Sequence, residues 1–164
     1  MSQTTDGIAQ HHRQTPIIFD KRLREHDFGK LNGQPVSAIR TNAKLLGVSE
    51  EQFIIDQGGE SDQDVEDRVL EVYNEIINQS KVAGCSSILI VSHGGPLTII
   101  VRWMIENQKY QLAADVPKRA KLGNTSVTTV HITNCSGRIE QLNCLKHLSD
   151  MMYSVLKSDQ GPAV

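Results

Sequence analysis

Residues 86–100 read SSILIVSHGGPLTII, and this stretch predicts the fold more strongly than any other part of the chain. An apolar run ends in a Ser-His-Gly-Gly turn, and a second apolar stretch with helical spacing follows. The pattern predicts a strand over residues 87–92, a tight turn and a helix soon after His93. Ligands collect at the carboxyl ends of strands in open α/β sheets, so we expect His93 to lie at a binding site.

The residues around His93 suit an anion. Gly94 and Gly95 follow it, and glycine lets a ligand approach the backbone closely. The amino terminus of the predicted helix would add free N–H groups and a positive dipole end, which favour phosphate. A lone histidine is more often structural, but this context favours a functional imidazole.

Composition excludes several classes of function. The 164-residue chain has a formal net charge of -2, which gives no general attraction to nucleic acid or an anionic membrane. The start of the sequence is polar, and no apolar run approaches the roughly 20 residues that span a bilayer. The three cysteines form no C-x-x-C pair, which indicates a reduced setting and gives no support for zinc. We expect a cytoplasmic protein with no membrane or nucleic-acid partner; its oligomeric state stays open.

The rest of the chain alternates between helical and strand patterns, which predicts an α/β layered domain over residues 1–150 with a tail over 151–164. An apolar stripe with a Ser61 N-cap predicts one further helix, which closes at residues 83–84. The other predicted elements are helices over 3–10 and 35–46, strands over 16–19, 125–133 and 138–145, and a turn at 134–137.

Other polar residues are weaker candidates when each is taken alone. Glu25 lies in a charged loop, where a carboxyl could donate a proton to a leaving oxygen or remain a solvated charge. Asn124 could bind a ligand, although a role in its turn is favoured. Glu60 is predicted to orient a loop or cap the next helix. His11 and His12 point about 100° apart on a helix, so we expect them at the surface and not around a metal.

Four blocks, taken in order, resemble the histidine phosphatase superfamily, the phosphoglycerate-mutase-like fold. The late CLKHL block and the spacing of the first two blocks are most similar to the TIGAR-type fructose-2,6-bisphosphatases. The resemblance implies an α/β fold with three layers, helix/sheet/helix. The four blocks are LREHDFGKLNG from Leu23, GGES with the following helix and Arg68, ILIVSHGGPL from Ile88, and LGNTSV from Leu122.

This resemblance implies a mechanism with two histidines. One lies in an Arg-His-Gly motif, attacks phosphorus and becomes phosphohistidine, while His93 would hold the phosphoryl group. Glu25 would protonate the leaving alcohol and later activate water. The N–H of Gly94 fits a phosphate contact, and the LGNTSV block implies substrate binding by Asn124. Positioning and charge neutralisation dominate phosphoryl transfer, so this set needs no metal or other cofactor.

One departure from the family pattern is serious. No Arg-His pair occurs in the sequence, and QHHRQT at residues 10–15 has the order reversed. The family also has a second motif that supplies an arginine. The residues here that match this motif begin at Ser2, so the position of its arginine would fall just before Met1. We therefore expect an amino-terminally truncated fold that lacks its first strand and helix, which leaves residues 87–92 without a neighbour. Either an incomplete gene model or a genuine short form that binds without turnover would explain this, and the first is favoured.

The functional prediction is a phosphomonoester hydrolase that acts on a small phosphorylated substrate, a sugar bisphosphate such as fructose 2,6-bisphosphate. This chain would be inactive without the nucleophile motif. The alternative is a non-catalytic phosphate-binding or regulatory fragment. An esterase that uses HGGP as an oxyanion loop is disfavoured, because residues 84–88 lack the last glycine of a G-x-S-x-G elbow.

Overall fold

The computed structural model describes residues 2–12, 15–118, 120–133 and 136–148. The described residues form an α/β chain in which helices precede a small sheet. The chain divides between Pro96 and Leu97 into two compact units. The helices are α1 (Ser2–Ala9), α2 (Val36–Leu46), α3 (Glu50–Asp56), α4 (Asp62–Val82) and α5 (Gly94–Glu106), and two short 3-10 turns cover Lys21–Leu23 and Gly29–Leu31.

The ends of α2 follow from its sequence, and the predicted helix is confirmed. Pro35 precedes the first helical residue with a φ of -60°, which proline adopts without strain. Gly47 ends the helix in the left-handed conformation, with a φ of 70°. A side chain at that backbone angle would be strained, so glycine is the expected residue there.

The predicted helix after Ser61 is also confirmed, as α4. The Ser61 hydroxyl accepts a hydrogen bond from the Asp64 N–H at 3.1 Å, and the Asp64 carboxylate accepts one from the Ser61 N–H at 3.1 Å. This reciprocal capping box satisfies amides that the helix cannot pair internally. The buried face of α4 carries Val65, Val69, Val72 and Tyr73.

One apolar cluster of the first unit lies between α2, α3 and the second 3-10 turn. Helix α3 was not predicted, because only seven residues carry its pattern; Ser49 caps it by accepting from the Gln52 N–H at 3.0 Å. Burial of each large apolar side chain contributes about 1.5–3 kcal/mol. The residues of this cluster are Leu31, Ile39, Ala43, Phe53 and Ile54, with Phe28 packed against them.

Two predicted strands of the first unit do not form, and these predictions were wrong. Residues 16–19 and 87–92 carry no strand pairing, and Ile18 and Leu89 are 83% and 65% exposed. Their composition favours strands, but a strand also needs a neighbour to pair its backbone groups. The described part of the first unit contains no strand that could serve.

The second unit contains a three-stranded sheet in the order β1–β3–β2. Strands β2 (Val127–Ile132) and β3 (Gly137–Cys144) are antiparallel, which confirms both predicted strands, and Ile132 lies opposite Gly137. The two-residue β1 (Gln111–Leu112) pairs in parallel with β3 and lies outside the strands predicted from the sequence. Residues 134 and 135 of the predicted turn and the tail over 151–164 lie outside the described residues.

Candidate active site

The loop that carries Glu25 begins at Arg22, which forms an ion pair with helix α4. Arg22 makes ion pairs of 2.7 Å with Asp20, which precedes the first 3-10 turn, and with Glu75 on α4. Hydrogen bonds from the Arg22 guanidinium hold the pKa of both carboxyls below their ordinary values, and the same bonds raise the pKa of Arg22. The loop is therefore anchored to the helix before it reaches Glu25.

A second arginine of α4 holds the backbone of this loop. The guanidinium of Arg68 donates to the carbonyl oxygens of Arg22 at 2.6 Å, Arg24 at 3.0 Å and Glu25 at 3.2 Å. It also donates to both carboxylate oxygens of Glu60, at 2.8 and 2.9 Å. The side chains of Arg68 and Glu60 are only 11% and 18% exposed. One planar group thus fixes three backbone carbonyls close to the candidate acid.

Glu60 also bonds directly to residues of the loop that carries Glu25. Its carboxylate also accepts from the Arg24 guanidinium at 2.8 Å and from the Asp27 N–H at 3.0 Å, and its carbonyl lies 2.8 Å from Nε2 of His26. Burial raises the pKa of Glu60, but the bonds from Arg68 and Asp27 outweigh it, so the pKa lies below its ordinary value. Glu60 orients the loop, as predicted, while Ser61 caps α4.

The loop meets the Ser-His-Gly-Gly segment at two points. The hydroxyl of Ser92 donates to the carbonyl of Leu23 at 2.7 Å. The N–H of Gly95 donates to Oε2 of Glu25 at 3.4 Å, and Oε1 of that carboxylate accepts from the His26 N–H at 3.1 Å. These contacts place the Glu25 carboxylate at the amino end of α5.

His93 lies in the chain between the two residues that make these contacts. Its side chain is half-buried, as is that of Glu25. Gly94 begins α5 and is exposed. The first unit therefore gathers a carboxylate, an imidazole-bearing residue and a helix amino terminus at one corner, a combination that suits binding of an anion and proton transfer to it.

The structure also describes the other sequence candidates. Asn124 belongs to the second unit, where it is exposed in the turn before β2, and its carbonyl accepts from the Thr125 hydroxyl at 2.6 Å. His11 and His12 are exposed, as predicted. Within the described ranges, no three His, Cys, Asp or Glu side chains are grouped to bind a metal ion.

Sequence reasoning missed the contacts that build this corner. It identified Arg68 only as part of a block and gave Ser92 and Gly95 no contact. The need for glycine at position 95 is visible only in the folded structure, because a Cβ there would lie 2.2 Å from Oε1 of Glu25. The bonds that join Arg68 and Ser92 to the loop span more than 40 residues of chain, so no local pattern encodes them.

Comparisons with known proteins define the class. Residues 1–145 match the model of the histidine phosphatase superfamily (branch 1). The chain belongs to this superfamily, and the expected resemblance is confirmed at that level.

Two further comparisons give a similar protein sequence and a similar fold. It is 25% identical over 153 residues to a broad-specificity phosphatase of Saccharomyces cerevisiae, and the match covers 90% of this chain and 62% of the yeast protein. The chain therefore spans less than two thirds of that relative's length. A phosphoglycerate mutase structure from Bacillus anthracis matches with a TM-score of 0.67 and 16% identity, over 88% of this chain and 68% of the mutase chain. This match shows the fold, and it confirms the predicted phosphoglycerate-mutase-like α/β class.

The described helices include none that is both long enough and apolar enough to cross a membrane.

Proposed function

We propose that this chain carries the proton-donating and phosphate-holding part of a phosphomonoester hydrolase site. The observation that carries the proposal is the contact of the Glu25 carboxylate with the Gly95 N–H at the amino end of α5, at 3.4 Å, next to the bond from the Ser92 hydroxyl to the Leu23 carbonyl of the same loop, at 2.7 Å. Membership of the histidine phosphatase superfamily supports the same reaction class. The yeast relative, described as a broad-specificity phosphatase, supports a small phosphorylated substrate.

The roles of the residues follow from this corner. The phosphoryl group would lie at the amino end of α5, where the Gly94 N–H and the helix dipole favour negative charge. His93 would hold the phosphoryl oxygens as their charge develops during transfer. Glu25 would protonate the leaving alcohol and then take a proton from the attacking water. Asn124 would contribute to substrate binding from its turn before β2.

Hydrolysis through a phosphohistidine also needs a nucleophile. The sequence contains no Arg-His pair, so the attacking imidazole and its arginine have no counterpart among these 164 residues. We therefore propose that this chain binds a phosphate ester but does not turn it over unless an Arg-His-Gly segment is supplied. This missing pair also favours the second candidate, a non-catalytic phosphate-binding or regulatory protein.

A sugar bisphosphate such as fructose 2,6-bisphosphate is the proposed ligand. Two phosphates would give the anion-binding corner more charge to recognise than a single phosphate would. The resemblance of the late CLKHL block and of the spacing of the first two blocks to fructose-2,6-bisphosphatases supports this choice. A cytoplasmic location is proposed with it, because the sequence has three cysteines and no C-x-x-C pair.

Binding and turnover are tested separately on this chain. Titration calorimetry with fructose 2,6-bisphosphate should show saturable binding that His93→Ala weakens at least tenfold, while His12→Ala, at an exposed histidine, leaves it unchanged. Phosphate release should stay at the level of buffer alone. Absence of binding at millimolar ligand would overturn the proposed site. Release at enzyme-like rates that His93→Ala abolishes would show that the chain has its own nucleophile and would overturn the second candidate.

A further inference from the structure

His26 is attached to its surroundings through both its backbone and its ring. The backbone N–H donates to Oε1 of Glu25 at 3.1 Å. The ring atom Nε2 lies 2.8 Å from the carbonyl oxygen of Glu60. A carbonyl oxygen only accepts, so Nε2 carries a ring hydrogen and donates it. One residue therefore links the candidate acid to the residue that precedes the N-cap of α4.

Packing fixes the ring of His26 in the same place. The imidazole stacks on Phe28, with ring centroids 4.7 Å apart and an angle of 27° between the planes, and Phe28 packs against the apolar cluster of the first unit. The His26 side chain is only 17% exposed. The other ring nitrogen, Nδ1, is 4.0 Å from Oδ1 of Asp62, which is too long for a hydrogen bond. The stacking and the Nε2 bond therefore orient the ring.

The peptide bond between Glu25 and His26 is held from both sides. Its carbonyl oxygen accepts from the Arg68 guanidinium at 3.2 Å, and its N–H belongs to the residue with the anchored ring. A peptide unit is planar, so fixing these two points sets the direction of the N–H. That N–H is aimed at Oε1 of Glu25. The direction of this donor therefore determines which way the Glu25 carboxylate faces.

We propose that His26 is a positioning residue for Glu25, and that it leaves Oε2 as the oxygen that carries the acid proton. An N–H needs a lone pair to face, so Oε1 stays an acceptor when Glu25 is protonated. Oε2 contacts the Gly95 N–H at 3.4 Å, a longer and weaker bond than the 3.1 Å bond of Oε1, so protonation displaces the Gly95 contact. The inference rests on the proposed function, because it assigns the proton of the proposed acid to the oxygen that faces α5.

Amide proton resonances of the full chain test which oxygen takes the proton, without any ligand. As the pH is lowered from neutral until Glu25 is protonated, the amide proton of Gly95 should move upfield further than that of His26, because the Gly95 amide loses its acceptor. The comparison uses the part of each shift that Glu25→Gln abolishes. This subtraction removes contributions from the His26 ring and from nearby Glu60 and Asp62. Circular dichroism checks that the helices are retained at each pH.

Two substitutions of His26 at neutral pH separate positioning from a merely structural role. His26→Phe keeps a ring that stacks on Phe28 but has no hydrogen for the Glu60 carbonyl, whereas His26→Gln supplies an amide N–H in place of the Nε2 donor. The carboxyl carbon resonance of Glu25 should shift in His26→Phe and return towards the parent value in His26→Gln. Binding of fructose 2,6-bisphosphate should weaken about fivefold in His26→Phe alone. His131→Phe, at an exposed position of β2, is the matched control and should change neither.

The outcomes separate this inference from the proposed function. An upfield shift at His26 that equals or exceeds the shift at Gly95 would overturn the assignment of the proton to Oε2. A Glu25 resonance that is unchanged in His26→Phe, or that shifts equally in His26→Gln, would overturn the positioning role, because the Nε2 bond would then not orient the carboxylate. A parent that binds no fructose 2,6-bisphosphate would overturn the proposed function, while the resonances of the chain without ligand would still decide how Glu25 is oriented.

Discussion

The backbone N–H of Gly95 donates to Oε2 of Glu25 at 3.4 Å, across 70 residues of sequence. The contact requires glycine, since a Cβ at position 95 would fall 2.2 Å from the other carboxylate oxygen. A backbone amide at a helix amino terminus is a favourable partner for a carboxylate. The candidate proton donor is therefore held by the same helix end that is proposed to receive the phosphate.

Gly95→Ala should displace the Glu25 carboxylate with little loss of stability. The added methyl meets the end of a flexible side chain, which can move aside, so the free energy of unfolding should fall by less than about 1 kcal/mol. The carboxyl carbon resonance of Glu25 should shift, and binding of fructose 2,6-bisphosphate should weaken. Gly7→Ala, with nothing within 4 Å of its added Cβ, is the matched control. An unchanged Glu25 resonance in Gly95→Ala would contradict the described contact.

Arg68→Ala should destabilise the first unit severely. The substitution removes the donors to three backbone carbonyls and leaves the largely buried Glu60 with one fewer cation, which costs about 3 kcal/mol. Arg40→Ala is the matched control, since Arg40 and Glu50 form an exposed pair at 2.9 Å whose loss costs less than about 1 kcal/mol. Urea unfolding of both variants measures the difference. Equal losses would show that the Arg68 contacts contribute no more than a surface ion pair.

The parts of the fold that local sequence encodes were predicted well. Helix α2 follows from Pro35 and Gly47, and the start of α4 follows from Ser61 and Asp64, because caps act within a few residues. Strands β2 and β3 follow from composition and a short connection. By contrast, residues 87–92 have strand composition but no strand, because pairing depends on a partner that local sequence does not contain.

The candidate site was less accessible to sequence reasoning. The immediate context of His93 indicated a functional residue, but Glu25 alone does not differ from any loop glutamate. Its role came from the ordered resemblance to a superfamily, which the family match confirms at the level of class. The contacts that hold the loop around Glu25 come from Arg68, which bonds the Glu25 carbonyl, and from Ser92, which bonds the Leu23 carbonyl; both lie more than 40 residues away, and no periodicity in the sequence predicts such contacts.

Ser92→Ala tests the second attachment of the loop. The hydroxyl of Ser92 donates to the carbonyl of Leu23 at 2.7 Å in a half-buried position, so its removal should cost about 1 kcal/mol. Ser86→Ala, at an exposed bend, should change the free energy of unfolding by less than about 0.5 kcal/mol. Hydrogen exchange should also show faster opening of residues 22–26 in Ser92→Ala only. Equal exchange in the two variants would mean that this bond does not hold the loop.

The lowered pKa of Glu60 predicts how stability depends on pH. Because the folded state holds this carboxylate ionised, the unfolded state binds more protons as the pH falls past the ordinary value of 4.5. The contribution of Glu60 is thus fully present above that value and is lost as the pH falls through the lower folded pKa. Asp20, Asp27, Asp64 and Glu75 also have lowered pKa values and add to the same loss in acid.

Glu60→Gln isolates the share of this one group. The neutral amide cannot balance Arg68 and Arg24, so the variant should be less stable than the parent at neutral pH. It should also lose less stability than the parent between about pH 6 and pH 3, because one carboxylate with a lowered pKa is gone. Urea unfolding across that range measures both effects. Parallel pH profiles for the two proteins would show that the Glu60 charge is not coupled to folding. The loop that carries Glu25 would then be held by its other hydrogen bonds, from Arg68 and Ser92.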